Sequence, residues 1–354
     1  MIKKLAVDCS RLNDKYLTGT HRFLVGFLNE IVKNDSVGRQ KDFEYAFFFK
    51  EQPSDEKFDF IKYGKVVILG NKPFYTQLML LKELSKFDFF VFPWQTCPFL
   101  GFLNRKKMVA IIHDSGFSSI SKVTTFFTQL ICGKVFSVSE TTAKKLVVKS
   151  TVLGEGVDSK VFYKIKNKEL EKYKKDYDIP SNFILSLGRV EKRKNIYNNL
   201  RAFSIVKKYY PKLKYVFIGN IVEDENLLYS FIKSLGIEKQ DVVFKRFVED
   251  VQLNIYLNSM NLMLFTPFDE GFGLPVVEAY SVGKPVVLSN IDVFQTFKIS
   301  KNQFVDPNNP ESIAEGVVLC LKDSSKFFDD SIAVSILKRF SWENSAKVFF
   351  KAIK

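Results

Sequence analysis

The sequence predicts an α/β protein made of two Rossmann-like halves, each a parallel sheet covered by helices. A chain of 354 residues exceeds what one hydrophobic core usually organises, so two domains are expected. Short runs of β-branched and aromatic residues alternate with longer segments that carry apolar residues at helical spacing. This alternation occurs twice, before and after a lysine-rich stretch at residues 159–180, which we interpret as a connector containing one helix.

The individual elements follow from the same two periodicities. Helical spacing predicts helices over residues 20–33 and 75–86. The predicted strands of the first half are residues 4–7, 45–49, 65–69, 87–92, 108–112 and 134–138. Those of the second half are residues 183–188, 214–219, 241–244, 261–265 and 285–289. Ligands of such sheets bind beyond the carboxyl ends of the strands, so the candidate site residues are sought there.

The composition narrows the class of protein. No stretch approaches the roughly 20 consecutive apolar residues of a membrane-spanning helix, and the N-terminus lacks the apolar region of a signal peptide. A cytoplasmic location is therefore expected. The four cysteines are far apart and, with only two histidines, form no zinc pattern, which favours buried reduced thiols.

The formal net charge of +14 indicates an anionic partner. Nucleic acid, an acidic membrane surface and a phosphorylated substrate all fit such a charge. The basic residues are spread over both halves and no module interleaves basic and aromatic residues. Nucleic-acid binding is thus the weakest of the three interpretations.

The most informative segment is E-G-F-G-L-P-V-V-E, which runs from Glu270 to Glu278 after an apolar strand. Gly271 and Gly273 permit close backbone approach, and Pro275 suits the first helical position because that position needs no N–H partner. The free amides and positive dipole end of such a helix attract phosphate or sugar oxygens. Both glutamates can accept hydrogen bonds from sugar hydroxyls, whereas an isolated pair would more often be solvated acids.

A second candidate is the segment L-G-R-V-E-K-R-K-N, in which Gly188 and Arg189 end a strand and Lys194 enters a helix. A fixed guanidinium and ammonium stabilise the charge that develops on a departing diphosphate, and they do so without a metal. Taken alone, a solvated basic loop is an equal interpretation, because charge runs are usually exposed.

Two residues of the first half complete the candidates. His113 follows an apolar strand, which places it near the ligand-binding edge of the sheet and makes it a candidate for catalysis, although a lone histidine is more often structural. Gly19 lies at the start of a predicted helix, where its backbone amide is a candidate phosphate contact and a simple helix cap is an equally good alternative.

Asp176 and Asp178 form a D-x-D pattern in the connector, for which a helix end is favoured over a metal site. We predict no metal and no cofactor.

Together these motifs resemble the GT-B enzymes of glycosyltransferase family 4, over nearly the whole chain. E-G-F-G-L-P-V-V-E-A looks like the family's E-x(7)-E signature, and G-R-V-E-K-R-K-N looks like its phosphate-binding strand, loop and helix. T-G-T-H-R-F at residues 18–23 is similar to the T-G-I-x-R-Y of a bacterial branch rich in mannosyltransferases for surface polysaccharides. One departure is that Ser289 and Asn290 are not followed by the family's P-E-V-x-G stretch.

The resemblance implies two Rossmann-like domains facing across a cleft. Residues 1–160 would bind the acceptor, residues 161–337 the nucleotide-sugar donor, and residues 338–354 would cross back as a helix to the first domain. The diphosphate would contact Arg189 and Lys194, the ribose Glu278, and the transferred sugar Glu270. The implied donor-binding residues are Gly19, Gly188, Arg189, Lys194, Gly271, Phe272, Gly273, Leu274 and Glu278, and the implied catalytic residues are His113, Glu270, Arg189 and Lys194.

The activity that the resemblance implies is that of a retaining, metal-independent hexosyltransferase. It would move a sugar from GDP-mannose or a UDP-sugar to a glycan or lipid-linked acceptor in cell-surface polysaccharide synthesis. Peripheral contact with anionic lipid at the inner face of the plasma membrane is a further expectation, motivated by the charge and by the amphipathic residues 75–86. The alternative is a catalytically inactive GT-B-like protein that binds a nucleotide sugar or an anionic polymer.

Overall fold

The computed structural model describes residues 2–14, 18–37, 42–53, 58–114 and 119–353. They form two compact units, the first ending at Gly156 and resuming at Phe340, the second running from Val157 to Arg339. Each unit is a parallel sheet flanked by helices, as the repeated alternation in the sequence predicts.

In chain order the strands are β1 (Lys3–Asp8), β2 (Phe43–Phe49), β3 (Gly64–Ile68), β4 (Phe89–Phe92), β5 (Met108–Ile112), β6 (Lys134–Ser137), β7 (Thr151–Val152), β8 (Phe183–Leu187), β9 (Lys214–Ile218), β10 (Val242–Lys245), β11 (Leu262–Phe265), β12 (Val286–Ser289) and β13 (Phe304–Val305). The α-helices are α1 (Gly19–Val37), α2 (Leu80–Glu83), α3 (Ser119–Ile131), α4 (Glu140–Lys144), α5 (Asn167–Asp176), α6 (Ile196–Lys207), α7 (Glu225–Ser234), α8 (Asp250–Ser259), α9 (Leu274–Ser281), α10 (Asp292–Gln295), α11 (Pro310–Lys322), α12 (Asp330–Arg339) and α13 (Trp342–Ile353).

The sheet of the first unit has the strand order β3-β2-β1-β4-β5-β6-β7, and all neighbouring strands are parallel. Its core is unusually rich in phenylalanine, because β2 and β4 present aromatic side chains to both faces of the sheet. Strands buried on both faces read as continuous apolar runs, which is why these segments were predictable.

The last helix, α13, packs into the first unit although it follows the second unit in the chain. Phe349 meets Phe27 of α1 edge to face, with ring centroids 5.2 Å apart. Trp342 covers Gly26 of α1 so closely that a Cβ there would lie 2.4 Å from the indole. The prediction that the final helix returns to the first domain is therefore confirmed.

The prediction of one helix over residues 75–86 is wrong in its form. The segment consists of a π-helical turn at Tyr75–Met79, then α2, then a 3-10 turn at Leu84–Lys86. The Gln77 side chain binds the Cys97 carbonyl at 2.8 Å and the Phe99 amide at 2.8 Å. These bonds tie the turn to a neighbouring loop, and the regular helical ladder is interrupted there.

The sheet of the second unit has the strand order β10-β9-β8-β11-β12-β13, again with parallel neighbours. The chain crosses from β10 back to β11 beside β8, so the order reverses between these two central strands. A crevice at such a point is where ligands of doubly wound sheets bind. The helix predicted in the lysine-rich connector is α5, and Asp176 of the D-x-D pattern is its last residue.

Two features predicted from the composition can be compared with the structure. All four cysteines are buried and none forms a disulfide, in agreement with the prediction of reduced thiols. Within the described part of the chain, no helix has both the length and the apolar character needed to cross a bilayer.

Candidate active site

A small pocket lies at the carboxyl ends of β8 and β11 in the second unit. Gly188, Arg189 and Lys194 line one side of it, and Phe265 and Thr266 line the other. Gly188 turns the chain away from β8 with a φ of +113°, a conformation that favours glycine. The structure thus places the second candidate segment at the predicted strand end.

Lys194 and Glu270 are brought together at this pocket. The Lys194 ammonium donates to the Glu270 carboxylate and also lies 4.9 Å from the centroid of the Phe265 ring. Less than a fifth of either charged side chain is exposed. Burial lowers the pKa of Lys194, while the adjacent carboxylate opposes that change.

The Glu270 carboxyl group is held in its ionised form. Burial alone would raise its pKa, but the charges of Lys194 and Arg193 outweigh this effect and the net pKa is lowered. The Arg193 guanidinium lies 3.4 Å from the same carboxylate oxygen. Glu270 is therefore a preorganised anion that faces two cations.

From the sequence alone, Arg193 could not be distinguished from Arg189, Lys192 and Lys194, the other basic residues of its segment. Its guanidinium binds Glu191 at 3.0 Å and donates to the Asp269 carbonyl at 2.9 Å. Its own carbonyl accepts from the Phe268 amide at 3.0 Å. Arg193 thus joins the loop after β8 to the loop after β11. The indication in the sequence was Glu191, two positions earlier, which can form an ion pair with Arg193.

Arg189 differs from these buried groups because about half of its side chain is exposed. Its guanidinium lies 3.5 Å from the carboxylate of Glu191, a side chain that is only 15% exposed. Arg189 thus borders the pocket with a cation that an anionic ligand can reach.

The glycine turn of the first candidate segment leads directly into α9. Gly273 has a φ of +110°, and a Cβ at this position would lie 2.7 Å from the Phe294 ring. Gly271, Phe272 and Leu274 complete the turn, and all three are buried. Pro275 lies in the first turn of α9, as predicted.

Glu278 lies within α9 and is only 4% exposed. A carboxylate so well buried must be satisfied by polar partners, because an unpaired buried charge is costly. The sequence allowed two interpretations of Glu278, a ligand-site residue or a surface acid, and its burial excludes the second.

His113 belongs to the first unit, directly after β5. Its Nδ1 lies 3.7 Å from a carboxylate oxygen of Glu155, and its ring meets Phe23 edge to face at 4.7 Å. Among the described residues its Nε2 has no hydrogen-bond partner. Glu155 is itself buried and was not singled out from the sequence.

Gly19 is the first residue of α1. A Cβ at this position would meet nothing within 4 Å, so the fold itself does not require glycine there. The preceding Thr18 hydroxyl pairs with Nδ1 of His21 at 2.7 Å. Residues 15–17 of this predicted loop and residues 115–116 after His113 lie outside the described residues.

Asp8 is a further titratable group, at the end of β1. It is fully buried, and burial raises the pKa of its carboxyl group to about 6, against the opposing hydrogen bonds from Ser10. One of its oxygens accepts from the Ser10 amide at 3.0 Å. The other has no partner among the residues that the structure describes.

No metal site is formed by the described residues, among which no three histidine, cysteine, aspartate or glutamate side chains converge. The charged groups at the pocket of the second unit are instead three cations, Arg189, Arg193 and Lys194, with Glu191 and Glu270. Such a set can bind an anionic ligand directly.

The chain is similar to known glycosyltransferases in sequence and in fold. Residues 167–331 match the family model described as "Glycosyl transferases group 1". The serotype-specific mannosyltransferase WbdA of Escherichia coli is 27% identical over 180 residues, which are 50% of this chain and 22% of that protein. The capsular polysaccharide biosynthesis glycosyltransferase CapM of Staphylococcus aureus is 28% identical over 205 residues, which are 54% of this chain and 53% of that protein.

Another relative is the O-antigen chain mannosyltransferase B of Escherichia coli, 27% identical over 175 residues, or 49% of this chain and 45% of that protein. The chain thus spans about a fifth to a half of the length of the curated relatives named here.

Solved structures are similar over the whole chain. HepE of Anabaena, in complex with UDP and glucose, superimposes with a TM-score of 0.78 at 17% identity and covers 99% of both chains. A glycosyltransferase from Rickettsia africae has a TM-score of 0.76 at 17% identity, over 100% of this chain and 98% of that one. The chain therefore has the GT-B fold, and residues 167–331 of its second unit are similar to the glycosyl transferases group 1 family.

Proposed function

We propose that this protein is a retaining glycosyltransferase that moves a hexose from a nucleotide sugar to a glycan or lipid-linked acceptor. The observation that carries the proposal is the buried pair of Lys194 and Glu270, beside a pocket and next to the glycine turn that opens α9. This arrangement combines groups for a diphosphate with groups for a sugar.

The cations of the pocket would bind the donor's diphosphate. Lys194 is largely desolvated before any ligand arrives, so its interaction with a phosphate oxygen is stronger than it would be in water. The exposed guanidinium of Arg189 adds a second, bidentate donor. Both charges stabilise the leaving diphosphate as its bond to the sugar breaks.

The donor sugar and ribose would bind at α9. Glu270 would accept hydrogen bonds from the sugar hydroxyls, the backbone amides of Gly271 to Leu274 would donate to them, and Glu278 would bind the ribose. The helix start adds a positive dipole end close to these groups. Because Glu270 is held ionised by Lys194 and Arg193, it acts as an acceptor for hydroxyl groups rather than as an acid.

The first unit would bind the acceptor, with His113 as a proposed catalytic residue and the amide of Gly19 as a proposed phosphate contact. In the reaction, the acceptor hydroxyl forms the new glycosidic bond on the face from which the diphosphate departs. Its proton passes to the leaving phosphate oxygen, and because bond formation and bond cleavage occur on the same face of the sugar, the anomeric configuration is retained. No group of the protein needs to form a covalent bond.

The donor is proposed to be GDP-mannose or a UDP-sugar, and the product a cell-surface polysaccharide. Similarity to the mannosyltransferases of Escherichia coli supports mannose as the transferred sugar, and similarity to CapM supports a polysaccharide product. The structural neighbour bound to UDP and glucose supports a uridine donor. We place the reaction in the cytoplasm, at the inner face of the plasma membrane.

The test is donor binding and turnover against a panel of GDP-, UDP- and ADP-sugars with the purified chain. Arg189→Ala is expected to reduce turnover by about 100-fold, since loss of one transition-state donor typically has such an effect. Arg246→Ala, an exposed arginine of the same unit, is the matched control and should retain activity. Failure of every nucleotide sugar to bind would exclude the proposal. Binding without turnover, with or without an acceptor glycan, would favour the inactive binding protein instead.

A further inference from the structure

Helix α3 of the first unit has apolar side chains on its exposed side and polar side chains on its buried side. Its outward side carries Ile120, Val123, Phe126, Phe127 and Leu130, each between 42% and 77% exposed. Its inward side carries polar residues, namely Thr125, Thr128 and Gln129, all at most 5% exposed. A surface helix of a globular protein normally has the opposite arrangement.

This orientation is fixed by hydrogen bonds on the inward side. The Thr128 hydroxyl donates to the Gln95 carbonyl at 3.2 Å, and the Gln129 side chain accepts from the Val147 amide at 2.8 Å. Rotation of the helix would leave these buried polar groups unsatisfied, which is costly. The apolar side of α3 is therefore held outward.

The neighbouring 3-10 segment, Phe99–Lys107, extends the apolar surface. Its Leu100 and Leu103 are 69% and 84% exposed, and its Phe99 ring lies 5.9 Å from the Phe127 ring of α3. We call the outward side of α3 together with Leu100 and Leu103 the apolar face. Contiguous exposed apolar surfaces of this kind mark interaction sites.

The charged residues within the two segments that carry the apolar face are all of one sign. Residues 99–107 and 119–131 contain Arg105, Lys106, Lys107 and Lys122 but no aspartate or glutamate. Arg105, Lys106 and Lys122 are exposed. In a symmetric contact between two copies of the chain, these like charges would come close together at the rim, which is unfavourable.

We propose that the apolar face inserts into the interfacial region of an anionic phospholipid bilayer, with the three exposed cations at the headgroups. Apolar and aromatic side chains on one side of a helix can enter the acyl-chain boundary, while the flanking cations contact the anionic headgroups. The apolar face is thus the surface through which the membrane contact expected from the sequence would occur. The proposal rests on side chains of the first unit alone and does not require transferase activity.

The principal experiment is co-sedimentation of the whole chain with vesicles of phosphatidylcholine, alone or mixed with phosphatidylglycerol. The chain should bind the mixed vesicles, and binding should weaken as salt rises, because headgroup charges are then screened. Ile120→Gln combined with Phe126→Gln should weaken binding by about tenfold or more, because two apolar side chains no longer enter the bilayer.

The matched control is Leu227→Gln combined with Val334→Gln, which makes the same kind of change at exposed helical positions of the second unit. It should bind vesicles like the parent chain. Both variants alter exposed residues, so each should unfold at the parent's temperature, and this is checked before binding is compared.

Removal of charge gives a second, independent comparison. Arg105→Gln, Lys106→Gln and Lys122→Gln together should weaken binding by about fivefold for each charge. The same loss of charge from α5, through Lys168→Gln, Lys172→Gln and Lys175→Gln, should have a clearly smaller effect. In Phe126→Trp, mixed vesicles should shift the fluorescence to shorter wavelength, against the constant background of the buried Trp94 and Trp342.

Three results would overturn the proposal. One is equal binding to vesicles with and without phosphatidylglycerol, and another is equal loss in the variant and its control. The third is a dimer in sedimentation velocity that Ile120→Gln with Phe126→Gln dissociates, which would assign the apolar face to a second copy of the chain. Because vesicle binding is measured without a sugar donor, its failure is distinct from a failure of the proposed activity.

Discussion

The Lys194 ammonium and the Glu270 carboxylate are 76 positions apart in sequence and form a direct ion pair in the second unit. The pair depends on the neighbouring positions of β8 and β11, since each residue follows one of these strands. Both groups are largely buried before a ligand binds. A diphosphate that binds Lys194 would therefore compete with the carboxylate of Glu270. Ligand binding at Lys194 is therefore an exchange between two anions.

Glu270→Gln is expected to lower the free energy of unfolding by about 2 kcal/mol. Lys194 then stays buried without its partner, and the loss is smaller than for a fully buried pair because both side chains keep some exposure. Glu225→Gln, which removes the partner of Arg246 from a largely exposed pair, should cost about 0.5 kcal/mol or less. Chemical denaturation of the two variants checks this difference. Equal values would mean that the buried pair behaves like a surface pair.

Lys194→Met separates the stabilising role of the pair from its proposed binding role. Added to Glu270→Gln, it replaces the unpaired cation by an apolar chain of similar length, so part of the lost stability should return. The double variant should nevertheless bind no nucleotide sugar with parental affinity. Denaturation and donor titration on the same samples measure both effects. A stable double variant with parental affinity would remove Lys194 from the donor site.

Gly273→Ala and Gly19→Ala should differ sharply in stability. At Gly273 a Cβ meets the Phe294 ring at 2.7 Å and the backbone lies at a φ of +110°, so a loss of about 2 kcal/mol or more is expected. At Gly19 the added Cβ contacts nothing, and stability should stay the same or rise slightly. Thermal unfolding measures both. If Gly19→Ala keeps its fold but loses turnover, the proposed ligand contact of its backbone gains support.

Asp8→Asn should change the pH dependence of stability. The folded-state pKa of Asp8 is about 6, above the value of 3.8 for an unperturbed carboxyl. The folded chain therefore retains a proton that the unfolded chain has lost between these values, and stability falls as pH rises through this window. By pH 7.5 the loss is about 3 kcal/mol.

The asparagine variant has no such proton to lose, so it should be more stable than the parent at pH 7.5 but not at pH 4. Unfolding curves at both values test this. Glu44→Gln, at an exposed position of β2, makes the same chemical change and should not alter the slope. A gain for Asp8→Asn that is the same at both pH values would argue against buried titration.

Gly26→Ala should weaken the packing of α13 on α1. The added Cβ would lie 2.4 Å from the Trp342 indole, so the helices must separate or the ring must move. We expect faster proteolytic removal of the α13 segment, while the second unit keeps its protection. Limited proteolysis with mass spectrometry measures this. Unchanged cleavage would show that the indole has room to adjust.

The sequence was sufficient to predict the two sheets and the positions of the glycine turns. Strands buried on both faces are continuous apolar runs, so their centres were found, whereas β7 and β13 have only two residues each and give no periodic signal. The break within residues 75–86 was missed because it follows from Gln77 binding a distant loop. Local spacing carries no information about such a contact.

The site could be predicted residue by residue, but its pairings could not. That Glu270 binds Lys194 and Arg193, and that Glu155 lies beside His113, depends on which strands are neighbours in the folded sheets. Periodicity likewise shows which residues of α3 share a side but not that the polar side is buried. Only partners such as Gln95 and Val147 decide that orientation. The roles of these residues in binding and catalysis stay predictions.

The first unit is interrupted in sequence by the whole second unit, and this has a consequence for protein synthesis. While a ribosome makes the second unit, α1 and the first sheet have emerged without the helix that covers Phe27 and Phe136. At about 5–20 residues per second, this interval lasts on the order of ten seconds or more. During that time the aromatic surface of the nascent first unit stays uncovered, and transiently exposed apolar surface of this kind favours aggregation.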